Sequence, residues 1–341
     1  MKKKLPLGKV PLEILQHHIF PFKGQTSPDV RVGPGVGIDF AAVRLNDQQY
    51  LIVSSDPITG VEKDIGWYAV NVNANDVATS GAKPMFLDSV ILLPEGADEN
   101  LVREVAQQIG EAAKEIGMTI IGGHTEVTPG LKRVTVVLTA ISVTERYVTA
   151  GDAEAGDAIL MTKTAGIEGT SILARTFRDQ LKAISQETLD KADQMIRQIS
   201  VVKDASALFS TGKVHAMHDA TEGGVLEAVY EMALASGLGF TLNLKDIPIA
   251  YETAVICRYL KVDPTRLVGS GCLLAAVEQS NVNSVLKELS SNGIRGTVIG
   301  RFGGRGKKLV KPDGSVEEAE AVVLDELWRL TGDQADAGIR A

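Results

Sequence analysis

The chain of 341 residues has little cysteine, few aromatic residues and no excess of basic charge. Its two cysteines, Cys257 and Cys272, form no C-x-x-C pair and have no histidine at zinc-ligand spacing, which excludes a disulfide scaffold and argues against a structural zinc site. We expect both to be reduced, buried thiols in the cytoplasm.

The charge balance and the hydrophobic pattern exclude further classes. With 35 Lys and Arg against 43 Asp and Glu, the net charge is −8, which argues against a nucleic-acid or membrane-surface protein. The one early basic run, Lys2–Lys4, is predicted to be a solvated terminus. No apolar run reaches the roughly 18 residues of a membrane helix, and the N-terminus has no signal-peptide pattern. These features predict a cytoplasmic protein.

What the sequence does contain is a globular composition, with 44% apolar and 23% charged residues. Strands and helices interleave over 36–146, a polar stretch follows, and helices and strands alternate again over 151–305. We therefore predict an α/β protein with a first α+β domain, a second layered α/β domain, an N-terminal segment (1–35) and a polar tail (306–341).

Local signals also predict individual elements of the first domain. A possible N-cap at Asp64, with Gly81 and Pro84 as the end, predicts a helix over Ile65–Ser80. Apolar residues at helical spacing indicate another over Asp98–Ile116, which Gly117 ends. A short buried strand is predicted over Thr119–Ile121, followed by a loop over Gly122–Glu126.

The first motif is glycine-rich, GPGVGID over Gly33–Asp39. No clear strand precedes it and no helix clearly follows, so it is not a Rossmann fingerprint, and no Gly-Lys-Ser/Thr closes a Walker loop. Two interpretations stay open. The segment is either a flexible lead-in or a mobile loop over phosphates, with Gly35 and Gly37 near the anion and Asp39 as a metal ligand.

Acidic and amide side chains follow at the end of a predicted strand and inside a predicted helix. Asp56 ends the strand, and Asp76 shares a helical turn with Asn73 and Asn75. A buried Asp must be hydrogen-bonded, paired or metal-bound. The pattern fits either a satisfied core polar group or the oxygen ligands of Mg²⁺ beside a nucleotide.

Paired glycines occur in two further motifs. In IGGHTE, Gly122 and Gly123 follow a strand and permit close backbone approach to an anion, with His124 and Glu126 on the rim.

In HDATEGGV over His218–Val225, an acid and a Thr precede two glycines at the start of a helix. Asp219 or Thr221 would cap that helix, and the amides of Gly223 and Gly224 would hold an anion. Lys163, which follows a predicted strand, either is an ordinary exposed lysine or reaches a phosphate.

Three stretches carry a family resemblance: ANDVATSGAKP (Ala74–Pro84), HDATEGGV (His218–Val225) and the segment Leu267–Glu278. In this order they resemble the aminoimidazole ribonucleotide synthetase (PurM-like) superfamily, and most closely its branch of hydrogenase maturation proteins, HypE. The resemblance spans about residues 33–305. It implies two α/β domains, of which 36–146 binds ATP, and a homodimer in which the N-terminal mixed sheets join into a barrel.

The resemblance also implies a Mg-ATP site. Metal ligands are implied at Asp39, Asp56, Asp76 and Asp219. Nucleotide contacts are implied at Gly35, Gly37, Asn73, Asn75, Gly122, Gly123, Lys163, Thr221, Gly223 and Gly224. His124 and Glu126 would position the acceptor or relay a proton.

The chain departs from the family pattern in two places. Many relatives carry paired acids where this chain has Asp39-Phe40, and the HypE branch acts on its own C-terminal cysteine, whereas no cysteine follows Cys272. We therefore expect an ATP-dependent enzyme that activates or phosphorylates a separate acceptor, a small molecule or a protein. A non-catalytic nucleotide-binding accessory factor and a thiamine monophosphate kinase-like phosphotransferase remain as alternatives. The sequence does not name the acceptor.

Overall fold

The computed structural model describes residues 5–59, 61–322 and 324–331; the basic run Lys2–Lys4 and residues 332–341 lie outside them. Helices in the described residues are α1 (Leu12–His18), α2 (Ile65–Thr79), α3 (Glu99–Ile116), α4 (Ile167–Thr176), α5 (Gln186–Gln194), α6 (Val202–Ser210), α7 (Gly224–Ser236), α8 (Tyr251–Leu260) and α9 (Val282–Ser291). Strands in the same residues are β1 (Val30–Val32), β2 (Ala41–Arg44), β3 (Tyr50–Ile58), β4 (Phe86–Leu93), β5 (Thr119–Val127), β6 (Thr135–Thr144), β7 (Ala158–Thr162), β8 (Val214–Asp219), β9 (Phe240–Asn243), β10 (Leu273–Val277), β11 (Gly296–Phe302), β12 (Lys307–Val310) and β13 (Val316–Glu318).

The chain forms two compact units. The N-terminal unit consists of Ser27–Gly33 and Asp39–Val148, and the C-terminal unit consists of 5–26, 34–38 and 149–331. The segment predicted as a separate lead-in over 1–35 is therefore divided between the two units where it is described. Most of its residues, including α1, belong with the C-terminal unit.

The N-terminal unit is a six-stranded sheet in the order β1-β2-β3-β6-β4-β5 with two helices. Helix α2 packs on β3 and β6 and against α3. Helix α3 is amphipathic and begins where the Asp98 carboxylate accepts a hydrogen bond from the Leu101 N–H at 2.9 Å; it ends at Gly117, which has a φ of 85°. Both predicted helices are confirmed.

Strand β5 differs from the prediction of a short strand and a loop. It continues for nine residues, Thr119–Val127, parallel to β4 at the edge of the sheet. A Cβ at Gly123 would lie 1.9 Å from the backbone oxygen of Ser89, so glycine is what allows the two strands to approach. Gly122 and Gly123, predicted to lie in a loop, are therefore strand residues. All nine residues of β5 are exposed.

The C-terminal unit is a seven-stranded sheet in the order β13-β12-β9-β11-β7-β10-β8. Every residue of β7 and β10 is buried, which indicates cover on both faces of the sheet. The segment predicted as a polar tail instead contributes β12 and β13. Leu309 of β12 is in the core, and β12 runs parallel to β9. Strand β8, which carries the motif residues His218 and Asp219, had no sequence prediction.

Both cysteines are free and buried, as expected, and burial raises the pKa of Cys257 to about 12. Among the residues that the structure describes, no helix has the length and apolar character needed to cross a membrane.

Candidate functional site

Helix α2 brings the predicted acidic and amide residues into the interior of the N-terminal unit. All fifteen of its residues are buried, including Asn73, Asn75 and Asp76. The Asp76 carboxylate is 4% exposed, and its Oδ2 accepts a hydrogen bond from the Ser54 hydroxyl of β3 at 2.7 Å. A buried carboxylate needs partners that compensate for its lost hydration, and the Ser54 hydroxyl is one of them.

Asn73 fixes the backbone of Asp56. Its side-chain oxygen accepts the Asp56 N–H at 2.8 Å, and its amide nitrogen donates to the Asp56 carbonyl at 3.2 Å and to the Ala69 carbonyl at 2.9 Å. Asp56 therefore lies within β3 and not at its end, because the strand continues to Ile58. Asn73, which the resemblance assigned to the nucleotide, holds a metal-ligand candidate in place.

Asp39 lies half-buried two residues before β2 in the same unit, and its neighbour Phe40 is in the core. The Phe40 ring packs edge-on against Tyr147, with the ring centroids 6.3 Å apart. At the position where the family resemblance led us to expect a second acid, Phe40 is therefore a packing residue. Asp39, Asp56 and Asp76 supply carboxylate oxygens, the donor type that Mg²⁺ prefers.

His124 and Glu126 lie on the same face of β5, two residues apart. The His124 Nε2 and Glu126 Oε2 atoms are 3.0 Å apart, and the Thr128 hydroxyl donates to the other Glu126 oxygen at 3.0 Å. The hydrogen bond from His124 lowers the pKa of Glu126. Both side chains are exposed. Gly122 and Gly123, predicted to approach an anion, are accounted for here by close packing on Asp88 and Ser89 of β4.

In the C-terminal unit the HDATEGGV motif joins the end of β8 to the start of α7. His218 and Asp219 close the strand, and Gly223 and Gly224 have φ values of 85° and 66°. A Cβ at Gly224 would lie 2.6 Å from the Thr265 backbone oxygen. Both conformation and space therefore require glycine at this turn.

This motif has two charged partners, Glu231 in the helix that follows it and Lys9 near the other end of the chain. The Nε2 atom of His218, a side chain only 2% exposed, lies 2.9 Å from the Glu231 carboxylate of α7, and the Lys9 ammonium lies 3.6 Å from the same carboxylate. Although burial alone would raise the pKa of Glu231, Lys9 and His218 lower it to about 2. Sequence reasoning missed Glu231 and Lys9, because nothing in their spacing relates them to His218.

The glycine-rich segment and Thr221 lie beside this pair. Gly37 has a φ of 63°, and a Cβ there would be 3.0 Å from the Glu231 backbone oxygen, so the loop packs on α7. Gly35 is half-buried in the same loop. The Lys9 ammonium donates to the Thr221 hydroxyl at 3.4 Å.

Buried carboxyl groups surround the start of α7. Asp325 accepts the Gly223 N–H at 2.6 Å, and burial raises the pKa of Asp325 to about 6. Glu168, at the start of α4, is hydrogen-bonded to Ser270, and burial raises the pKa of Glu168 to about 7. The sequence analysis found neither acid.

Lys163 is held inside the C-terminal unit. Its ammonium donates to the carbonyls of Gln198 at 3.2 Å and Ser200 at 2.7 Å, and it lies 3.3 Å from the Asp204 carboxylate. These three partners match the three donors of an ammonium group. A phosphate contact by Lys163, as predicted, would have to replace one of them.

The sequence matches two family models that together cover most of the chain. The N-terminal domain of AIR synthase related proteins matches residues 37–144, and their C-terminal domain matches residues 154–311. A Methanocaldococcus jannaschii protein described as a hydrogenase expression/formation protein is 29% identical over 294 residues, covering 83% of this chain and 84% of that protein. The carbamoyl dehydratase HypE of Cupriavidus necator is 28% identical over 279 residues, covering 78% and 74%.

Solved structures show the same fold. A hydrogenase maturation protein HypE in complex with ATP aligns with a TM-score of 0.68 and 20% identity, over 93% of this chain and 96% of that one. Its architecture is the two-domain PurM-like fold that the sequence predicted. With both domain models matched in order, this chain belongs to the AIR synthase related (PurM-like) family and is similar to its HypE members.

Proposed function

We propose that this chain is a Mg-ATP-dependent enzyme of the HypE-like branch that activates or phosphorylates an acceptor. The observation that carries the proposal is the buried Asp76 carboxylate of α2, hydrogen-bonded to Ser54 and one turn from Asn73. Burial of a carboxylate is costly and is repaid where the group binds a cation. The ATP complex of a HypE with this fold supports the choice of nucleotide.

The polar residues of the site would have two roles: the carboxylates bind the metal, and the Asn73 amide orients one of them. Asp39, Asp56 and Asp76 are the proposed Mg²⁺ ligands of the N-terminal unit, and Asp219 is a proposed Mg²⁺ ligand of the C-terminal unit. When bound, the ion would neutralise charge on the transferred phosphoryl group. Asn73 keeps Asp56 in place through the backbone, so its contribution is orientation. Asn75, Gly122 and Gly123 stay as proposed nucleotide contacts, as do the glycines and Thr221 of the C-terminal unit.

We propose that His124 and Glu126 position the acceptor or pass a proton to or from it. Their hydrogen bond holds the imidazole and the carboxylate side by side on the exposed face of β5. The lowered pKa of Glu126 keeps its carboxylate ionised, so it can hold a protonated imidazole.

A homodimer is the proposed assembly, formed through β5. This edge strand presents unpaired backbone groups together with the exposed side chains of Ile121 and Val127, 56% and 54% exposed. Edge strands of this kind are normally covered or charged in single chains. A second copy that covers β5 would pair its backbone groups and bury the side chains of Ile121 and Val127.

The test is calorimetric titration with ATP, with and without MgCl₂, followed by a phosphate-release assay on the same sample. We expect Mg²⁺-dependent binding with slow hydrolysis. In Asp76→Asn, the Mg²⁺-dependent part of the affinity should fall at least about tenfold, or 1.4 kcal/mol. Asp47→Asn, an exposed acid in the β2–β3 turn, is the matched control and should bind as the wild type does.

Two results would overturn the proposal. If millimolar ATP gave no heat of binding with Mg²⁺ present, the carboxylates would not form a nucleotide site. If Asp76→Asn bound and turned over Mg-ATP like the control, Asp76 would be a core residue only. Tight binding without hydrolysis across a panel of acceptors would instead select a non-catalytic accessory factor.

A further inference from the structure

Three side chains at the end of β5 form a hydrogen-bonded series, His124, Glu126 and Thr128. One oxygen of Glu126, Oε2, lies 3.0 Å from the His124 Nε2 atom, and the other, Oε1, accepts from the Thr128 hydroxyl at 3.0 Å. The Thr128 N–H in turn donates to the carbonyl of Leu93, the last residue of β4, at 2.9 Å. Thr128 is therefore anchored to the sheet, and its hydroxyl orients the carboxylate that holds the imidazole.

The hydrogen bond between Glu126 and His124 decides which ring nitrogen can accept a proton. An ionised carboxylate only accepts hydrogen bonds, so the Nε2 atom of His124 must carry the hydrogen. The hydrogen bond from His124 lowers the pKa of Glu126, which keeps this carboxylate ionised. In the neutral ring the lone pair is then on Nδ1. A base that is oriented by a third group in this way is the arrangement that activates nucleophiles in enzymes.

The face of β5 that carries His124 has space beside the imidazole ring. Side chains two residues apart share a face of a strand, so Gly122 and Glu126 are the neighbours of His124 on this face. Gly122 has no side chain, and a Cβ there would lie 2.7 Å from Oδ1 of Asp88, the one charged residue of β4. The His124 side chain is 63% exposed. A molecule that lies over Gly122 would therefore meet hydrogen-bond acceptors from both strands.

We propose that His124 is the general base of the reaction and accepts the proton at Nδ1, and that Thr128 is a positioning residue that acts through Glu126. This inference rests on the proposed function, because the base serves an acceptor that attacks ATP. The acceptor is then a protic nucleophile, a molecule whose O–H or N–H group loses its proton as it is phosphorylated. A carbonyl oxygen carries no proton, so its activation would need no base at this step.

The proton and the electron pairs of this step are accounted for by the acceptor, ATP and His124. As the acceptor oxygen or nitrogen forms its bond to the γ-phosphorus, the bond from that phosphorus to the bridging oxygen breaks, and its electron pair stays on the β-phosphate of ADP. The proton of the acceptor moves to Nδ1 of His124. The imidazolium that forms is stabilised by the Glu126 carboxylate until it returns the proton to water.

The activity test uses water as the acceptor and measures phosphate release from Mg-ATP by the full chain. His124→Gln should lower kcat about a hundredfold, while calorimetry shows an unchanged affinity for Mg-ATP. The wild-type kcat should also fall toward acid pH, because an imidazolium cannot accept a proton, and His124→Gln should lose this dependence. His18→Gln, which removes an exposed histidine of α1, is the matched control and should turn over as the wild type does.

Thr128 is tested by a pair of conservative variants. Thr128→Val removes the hydroxyl at nearly constant volume and should lower kcat about fivefold, the effect of one hydrogen bond, with the affinity for Mg-ATP unchanged. Thr128→Ser keeps the hydroxyl and should restore kcat. Thr119→Val, at the exposed start of β5, is the control for loss of a threonine hydroxyl from this strand.

Heteronuclear NMR of the histidine side-chain nitrogens tests the tautomer without turnover. The signals of His124 are those that are absent in His124→Gln. We expect neutral His124 to carry its hydrogen on Nε2 in the wild type. In Glu126→Gln the new amide can donate to the ring as well as accept from it, so a mixture with the Nδ1–H form should appear.

The outcomes separate this inference from the proposed function. If the wild type binds Mg-ATP and His124→Gln releases phosphate at the wild-type rate, the inference is wrong and the Mg-ATP site stands. The same holds if neutral His124 carries its hydrogen on Nδ1, or if the wild type binds Mg-ATP and releases no phosphate. A loss in Thr128→Val that Thr128→Ser does not reverse would remove the positioning role of Thr128. If the wild type does not bind Mg-ATP, both fail.

Discussion

Helix α2 of the N-terminal unit and the start of α7 in the C-terminal unit both bury polar groups, but their partners come from different distances along the chain. In α2, Asp76 and Asn73 bond to Ser54 and Asp56, 22 and 17 residues away. At the start of α7, Glu222 accepts from the Lys9 N–H across 213 residues and Gly223 donates to Asp325 across 102. The first arrangement joins neighbouring elements of one unit through hydrogen bonds to a hydroxyl and to backbone groups; the second brings carboxylates to backbone amides that are more than a hundred residues away.

The largest expected loss of stability comes from a substitution in the turn at the start of α7. Gly224→Ala would place a Cβ 2.6 Å from the Thr265 backbone oxygen at a φ of 66°. We expect a loss of about 4 kcal/mol in the free energy of unfolding, measured by urea denaturation, because strain and a backbone clash add. Gly237→Ala, at a φ of 69° with open space, is the control and should cost about 1 kcal/mol. Equal losses would show that the close approach is unimportant.

The second prediction tests whether the charge of Glu231 stabilises the region around His218. The pKa of Glu231 is lowered from 4.5 to about 2, so its stabilisation is complete above pH 4.5 and is lost as the pH falls toward 2. Glu231→Gln should cost about 3 kcal/mol in the free energy of unfolding at pH 7, and the difference from wild type should shrink at pH 4 and below. Urea denaturation across this range measures it.

The control for that change is Glu187→Gln, which removes an exposed ion pair with Lys191. We expect its urea midpoint to match that of the wild type at pH 7 and at pH 4, because exposed ion pairs contribute little to the free energy of unfolding. A pH-independent loss in Glu231→Gln would mean that packing and not charge holds His218.

The smallest effect concerns α2. Asn73→Ala removes three hydrogen bonds to backbone groups and should lower the free energy of unfolding by about 2 kcal/mol, equally at pH 4 and pH 7. Asn71→Ala is the matched control on the same helix, since its side chain bonds to the carbonyl of Trp67 one turn earlier, and should cost less. If Asn71→Ala lowered the free energy of unfolding as much as Asn73→Ala, the hydrogen bonds to the Asp56 backbone would not account for the contribution of Asn73.

The same contrast explains how much could be predicted from the sequence. Helix α3 follows from its periodicity and from Gly117 at its end, and α2 from Gly81 and Pro84 beyond it, which are local signals. The cap expected at Asp64 is wrong, because its side chain makes no capping hydrogen bond. Strand β5 was misjudged because Gly122 and Gly123 look like loop residues until the contact with β4 is known. Glu231, Lys9, Glu168 and Asp325 were missed since their partners are set by tertiary structure, which no spacing encodes.

The assignment of residues 5–26 and 34–38 to the C-terminal unit has a consequence for how the protein is made. Lys9 emerges from the ribosome long before the Glu222 it must contact, 213 residues later. The N-terminal unit can complete its sheet while translation continues, but the earliest residues must wait unpaired until the last third of the chain is available. The contact between Lys9 and the start of α7 can therefore form only after Glu222 has been made.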